Sequence, residues 1–282
     1  MTKHHVAPTI TLANGVSMPS FGLGTSPMND ADTETATAAA IEAGYRLFDT
    51  AENYRNEGGV GRGIRASGID RAEVFITTKF NARWHGVEEA QEAWDQSAQL
   101  IGVDYLDLLL IHWPNPGQDR YVDAWKGLIK LLEVGKVRSI GTSNFKPAHI
   151  DRLIAETGVT PHVNQIQLNP NAVRSQERAY HEAHNIVTES WSPLGSGRGV
   201  GDLLGARPIL AAAAAHGKTA AQVVLRWHVQ QGLIPVPKSS NPQRLAQNLA
   251  VFDFELTEDE MSAISALDRN GEGVLDSDRF GH

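Results

Sequence analysis

Leu106-Asp107-Leu108-Leu109-Leu110-Ile111-His112-Trp113-Pro114 is an apolar run that stops on a histidine. Shortly after it, Tyr121–Val134 sets Val122, Trp125, Ile129 and Leu132 on one helical stripe and halts at Gly135, and Arg138–Ser143 is a further strand-like run. Strand, helix and strand in that order make a parallel unit, because a parallel neighbour is reached only through a crossover connection. The same rhythm extends in both directions. Eight runs read as strands: Phe21–Thr25, Arg46–Thr50, Val74–Lys79, Leu106–His112, Arg138–Ser143, His162–Ile166, Ile186–Trp191 and Leu233–Lys238. Helical patterns lie between them, among them Asp32–Gly44 and Thr219–Gln231. Eight such units in about 250 residues predict a closed (β/α)8 barrel. The rival, an open doubly wound sheet, carries G-x-G-x-x-G after its first strand. Gly22-Leu23-Gly24 has no matching third glycine, and His216-Gly217-Lys218-Thr219 lacks the earlier glycine of a phosphate loop. Ahead of the barrel, Thr9–Pro19 alternates around Asn14-Gly15, a hairpin signal. No linker divides the chain, so residues 1–282 are read as a single barrel domain.

Composition limits what such a barrel binds. At 41% hydrophobic and 21% charged, the chain has the balance of an ordinary globular protein. A formal charge of −8 argues against a nucleic-acid or anionic-membrane surface, so an anionic ligand needs a local basic cluster. The absence of cysteine excludes disulfides and zinc–thiolate sites. The N-terminus lacks a signal-peptide core, and no stretch approaches the roughly 18 apolar residues of a membrane helix. A cytoplasmic location is expected.

Barrel chemistry gathers where strands end. The runs end in Asp49 with Tyr54 shortly after, in Lys79, in His112-Trp113, in Ser143-Asn144, in Trp191 and in Lys238, and the sixth contains Gln165. Taken singly, each has an ordinary reading. Asp49 is a cap, Lys79 a solvated flank, His112 a core histidine, Tyr54 and Trp191 packing residues, and Asn144 and Gln165 loop hydrogen-bonders. Together they make a proton-transfer device. A phenol ordinarily titrates near 10, and an ammonium beside it is expected to pull that value towards neutral. Asp49 would orient Lys79, Tyr54 would protonate a developing alkoxide, and His112 would position the carbonyl oxygen by a hydrogen bond. Hydride is the half that no side chain supplies, so a nicotinamide cofactor is required.

The longest gap between runs holds Gly195-Ser196-Gly197-Arg198-Gly199-Val200-Gly201 and an extra helical segment, Pro208–His216. Glycines let backbone amides approach phosphate, and the loops after strands seven and eight are a common phosphate site. Lys238-Ser239-Ser240-Asn241-Pro242-Gln243-Arg244 adds two cations and two hydroxyls, which suits a 2′-phosphate and hence NADP(H) over NAD(H). The ordinary alternative is a surface loop with scattered charge.

At these residues the sequence resembles the aldo-keto reductase superfamily. The carrying motifs are Gly44–Ala51, Tyr54-Arg55-Asn56-Glu57, Ile76–Lys79, Leu110–Pro114, Ile140–Phe145, Asn164-Gln165-Ile166, Trp191-Ser192-Pro193-Leu194-Gly195 and Pro237-Lys238-Ser239. Glu189-Ser190-Trp191 and Leu225-Arg226-Trp227-His228 resemble the bacterial 2,5-diketo-D-gluconate reductase branch. The resemblance implies NADPH-dependent carbonyl reduction by a tetrad of Asp49, Tyr54, Lys79 and His112. It assigns carboxamide contacts to Ser143, Asn144 and Gln165, and nicotinamide stacking to Trp191. Ser192, Leu194 and Gly195 fall in the cofactor loop. Lys238, Ser239 and Arg244 take the 2′-phosphate, with Ser240 beside them, and Gln247 and Asn248 take the adenine. Gly24 and Thr25 lie under the cofactor, Trp113 and Asn81 with Tyr54 and His112 line the substrate pocket, and the hairpin plugs the barrel floor. Keto sugar acids or dicarbonyls are the implied substrates, with no metal. Relatives are often monomers.

Asn81 and Ser26 stand where aromatic residues are frequent in that family, which predicts a wider and more polar pocket. Asn241 stands where a basic residue is often found, and the tail after Asp268 departs from the family pattern. Two other classes stay open: a cofactor-binding regulatory barrel without catalysis, and a metal-dependent hydrolase using Asp49 and His112.

Overall fold

The computed structural model describes residues 6–195 and 199–282, with residues 199–201 as backbone only. A hairpin of β1 (Thr9–Thr11) and β2 (Ser17–Pro19) comes first, pairing Thr9 with Pro19. Then follow β3 (Leu23–Gly24), α1 (Asp30–Ala43), β4 (Leu47–Asp49), α2 (Glu57–Ser67), β5 (Phe75–Phe80), α3 (Val87–Ile101), β6 (Leu106–Ile111) and α4 (Tyr121–Glu133). The second half runs β7 (Val137–Ser143), α5 (Pro147–Thr157), β8 (Val163–Gln167), α6 (Ser175–Ala183) and β9 (Val187–Trp191). It ends with α7 (Gly199–Leu204), α8 (Arg207–His216), α9 (Ala220–Gln230), β10 (Ile234–Pro235), α10 (Pro242–Leu249) and α11 (Glu258–Ser265).

Strands β3 to β10 form one parallel sheet in chain order. The Gly22 and Gly24 amides donate to the Pro235 and Pro237 carbonyls, and Gly24 bridges Lys238 in parallel, which closes the sheet into the (β/α)8 barrel. A side chain on Gly24 would run into the Val236 carbonyl, so closure needs glycine there. All eight sequence runs contain a strand. The first and last shrink to two residues, because Pro235 and Pro237 have no N–H for the ladder.

Helix α1 begins two residues before the expected Asp32, since Asn29 caps it by accepting from the Asp32 amide. Thr219 and Gln222 form a reciprocal capping box on α9. No described helix is long and apolar enough to cross a membrane.

Strand parity sorts the core. Leu108 and Leu110 point into the barrel, where they meet Leu12 and Met18 of the hairpin with Leu47, Phe75, Val163, Ile234 and Val236. Leu109 and Ile111 point out to the helices, packing in the cluster that holds Trp94, Trp125 and Leu128. The hairpin thus stoppers the barrel floor, and Asn14 Nδ2 fastens it to the Arg138 carbonyl at 2.9 Å.

Candidate active site

The parity that fills the floor also aims the site. Leu47 leads to Asp49, Phe75 to Lys79, Leu110 to His112, Val163 to Gln165, Val187 to Glu189 and Trp191, and Val236 to Lys238, each at even spacing along its strand. Side chains two apart share a face, so each polar residue turns inward above an apolar one.

Lys79 is fully buried, and its Nζ donates to Asp49 Oδ1 at 2.7 Å, Asp49 Oδ2 at 2.8 Å and the Thr50 carbonyl at 3.0 Å. Three donors meet three acceptors, which is what lets a charge persist in the core. Burial disfavours the ammonium, but Asp49, with help from Tyr54 and Glu189, outweighs it and holds the Lys79 pKa above its ordinary value. Gln165 Nε2 donates to Asp49 Oδ1 at 2.9 Å and to Glu189 Oε2 at 2.8 Å. Burial, then the Asp49 charge, pushes the Glu189 carboxyl up to about 8, so it is a neutral acid at pH 7.

Tyr54 ends a single 3-10 turn, Glu52–Tyr54, that follows β4. Its ring centre lies 5.2 Å from Lys79 Nζ, and its ring lines the cavity. The expected acidification is not found. Burial raises the phenol pKa, Lys79 opposes this, and Asp49 and Glu189 add to the rise. Asp49, which secures the ammonium, also masks it, and with burial this keeps the phenol protonated across the neutral range.

His112 follows β6, its ring centre 5.9 Å from that of Tyr54. Burial, with Lys79 and His282 adding, lowers its pKa well below 6.5, and the ring is neutral. Asn144, in a left-handed conformation (φ 64°) that asparagine tolerates, donates to the His112 carbonyl at 3.1 Å and accepts from Trp191 Nε1 at 2.8 Å. Ser143 Oγ donates to the Gln165 carbonyl at 3.0 Å.

A cavity of about 900 Å³ joins these groups. Of the expected site residues, Gly24, Asp49, Tyr54, His112, Trp113, Asn144, Gln165, Trp191, Ser192, Leu194, Gly195, Lys238, Ser239, Arg244, Gln247 and Asn248 line it. Lys79 lies beneath Tyr54, and Ser143 lies behind Gln165. Thr25 is buried against the Asp49 carbonyl and Asn56, while Ser240 is exposed outside the lining. Residues 196–198 of the glycine-rich loop lie outside the described residues.

Asn81 does not line the cavity. It sits behind His112, whose Nδ1 is 3.1 Å from Asn81 Oδ1. Ser26 does line the cavity, and the tail brings Leu275 and Phe280 to the pocket, with His282 beside them. Phe280 packs edge-on against Trp113, with ring centres 4.8 Å apart.

The tail and Glu189 escape a reading of strand ends. No local pattern links residue 280 to 113. Glu189 did carry a signal: it lies two before Trp191 in a strand-like run, and so shares its inward face.

A barrel whose mouth gathers a tyrosine, a buried lysine–aspartate pair and a neutral histidine defines a class of carbonyl-reducing oxidoreductase. The model of the aldo/keto reductase family matches residues 15–269, and the chain belongs to that family. It is 48% identical over 263 residues to an aldo-keto reductase of Mycolicibacterium smegmatis, covering 93% of this chain and 94% of the relative. It is 47% identical over 262 residues to the 2,5-diketo-D-gluconic acid reductase B of a Corynebacterium species, with the same 93% and 94% coverage. A crystal structure of a Gox0644 mutant in complex with NADPH superposes with a TM-score of 0.92 at 44% identity, covering 98% of this chain and 99% of the other.

Proposed function

We propose that this protein reduces aldehyde or ketone groups to alcohols with NADPH, Tyr54 supplying the proton. The carrying observation is the Asp49–Lys79 pair buried beneath Tyr54, opposite neutral His112, in one cavity that reaches Lys238 and Arg244.

The residues present fit the coenzyme. Among the described residues neither Lys238 nor Arg244 is paired with a carboxylate, although both line the cavity. They would hold the 2′-phosphate, at the N-terminal end of α10. Asn144 and Gln165 would hold the carboxamide, and Trp191 would face the nicotinamide ring. Bound there, NADPH supplies hydride. Tyr54, protonated at neutral pH, gives its hydroxyl hydrogen to the oxygen of the carbonyl as negative charge builds on it. Lys79, held by Asp49, then stabilises the phenolate left behind. Keto sugar acids and dicarbonyls are the proposed substrates, supported by the name of the Corynebacterium relative.

Tyr54→Phe tests the assignment. Turnover should fall by roughly 10²- to 10⁴-fold, while NADPH binding, followed by quenching of tryptophan fluorescence, stays near the wild-type value. Near-normal turnover in the variant rejects Tyr54 as the proton donor. NADH run beside NADPH over sugar acids, dicarbonyls and aromatic aldehydes tests the phosphate site, and equal efficiency with the two coenzymes rejects it.

A further inference from the structure

The contacts behind His112 fix which of its nitrogens carries hydrogen. Glu52 presents Oε2 to the Asn81 backbone amide at 3.2 Å and to Asn81 Nδ2 at 3.3 Å, while its Oε1 is ion-paired with Arg83. A carboxylate only accepts, so the Asn81 NH₂ faces Glu52. The Asn81 carbonyl oxygen is then left facing His112 Nδ1 at 3.1 Å. That oxygen also only accepts, so Nδ1 must be the donor. Turning the amide over would set its oxygen against the carboxylate and its NH₂ off that acceptor, leaving buried polar groups unmatched. A neutral imidazole has one N–H. With Nδ1 committed, Nε2 carries a lone pair, and it makes no hydrogen bond to any described residue while His112 lines the cavity.

We propose that Asn81 and Glu52 are positioning residues that hold His112 as the Nδ1–H form, so that Nε2 faces the substrate as an acceptor. This replaces the expectation that His112 donates to the carbonyl. A bare carbonyl oxygen aimed at Nε2 meets lone pair against lone pair. A hydroxyl on the adjacent carbon donates to Nε2 while Tyr54 donates to the carbonyl itself, and the short distance between the Tyr54 and His112 rings, 5.9 Å between centres, suits one small substrate meeting both. The site therefore favours α-hydroxy carbonyl compounds over simple ones of the same size. The specificity half of this proposal rests on the carbonyl-reductase reading, and the tautomer half does not.

The test combines spectroscopy and kinetics on the full chain. In ¹⁵N-labelled protein, His112 is assigned by the signal lost in His112→Asn. Its Nδ1 should be pyrrole-like and its Nε2 pyridine-like. In Asn81→Leu, and in Glu52→Gln, where the new amide can donate to Asn81 and release it to turn, Nε2 should gain pyrrole character. The ratio of kcat/KM for hydroxyacetone to that for butanone should fall about fivefold in either variant. Using both variants guards against one that fails to fold. A pyrrole-like Nε2 in the wild-type protein overturns the proposal whatever the activity. An unchanged substrate ratio in a variant whose tautomer has moved overturns the specificity half. If no carbonyl compound is turned over at all, the proposed function fails, and the spectrum still decides the tautomer.

Discussion

Lys79 donates to both Asp49 oxygens and the Thr50 carbonyl, and it acts on Tyr54 mainly through its charge, with a smaller contribution from hydrogen bonding. It is the main influence lowering the phenol pKa, against burial, Asp49 and Glu189. Lys79→Met should therefore leave Tyr54 a still weaker acid and the phenolate without its counter-charge. We expect kcat to fall by at least about 10²-fold in a protein first shown to be folded by circular dichroism. A kcat within a few-fold of wild type would detach Lys79 from the reaction. Asp49, Tyr54, Lys79 and His112 were legible in the sequence because each closes or follows an apolar run, and a titratable group in that position has few reasons to be there. The acidity of Tyr54 was not legible. It depends on Glu189 from a distant strand and on a depth of burial that composition does not reveal. The place of Asn81, expected in the pocket lining, was not legible for a related reason: it comes two residues after Lys79, just past the end of β5, yet its contacts are with Glu52 and His112, which only the folded barrel brings beside it.

Among the elements, α2 is set by the glycines of Glu57-Gly58-Gly59-Val60-Gly61-Arg62-Gly63-Ile64. A methyl group on Gly61 would collide with the Ile101 carbonyl at the end of α3, and one on Gly59 or Gly63 with carbonyls of α1. Replacing glycine by alanine inside a helix ordinarily stabilises it by up to about 1 kcal/mol. Here the clash is with backbone, which cannot swing aside, so the sign reverses. Gly61→Ala should lower stability by about 1–3 kcal/mol, read as a drop in the urea midpoint at unchanged slope. A midpoint equal to or above that of wild type would mean the helices part easily. The helix periods and their glycine stops were readable in sequence, and so were the strands. The ends of β3 and β10 were not, because ladder pairing is decided by neighbours far along the chain. The tail was the least readable element. Lys146 holds it through Asp276 and Asp278, at 2.6 Å each, and such pairs leave no periodic trace.

For the whole molecule, buried neutral histidines and one buried acid should shape the response to pH. Burial, the leading cause in each, lowers His85 and His181 to about 4 and His228 to about 3, against an ordinary value of 6.5. Below pH 6.5 the unfolded chain therefore binds more protons than the folded one, and stability falls with acidification, by about 1.4 kcal/mol per pH unit for each group. Glu189 acts in the opposite sense. The folded protein keeps its proton up to about pH 8 while the unfolded chain releases it near 4.5, so stability falls as pH rises through that window. Glu57, raised by burial, adds to this, though the histidines outnumber both acids on the acidic side. Above pH 6.5 the Glu189 contribution opposes that of the histidines, so Glu189→Gln should gain stability relative to wild type as pH rises from 6.5 to 8. Urea titrations of both proteins at pH 5, 6.5 and 8 read this directly, and an identical change from pH 6.5 to 8 in the two would exonerate Glu189. One last consequence follows from the Leu12 and Met18 stopper. Among the described residues the floor is sealed by packed side chains, so small molecules come and go at the opposite end of the barrel, where the strands finish.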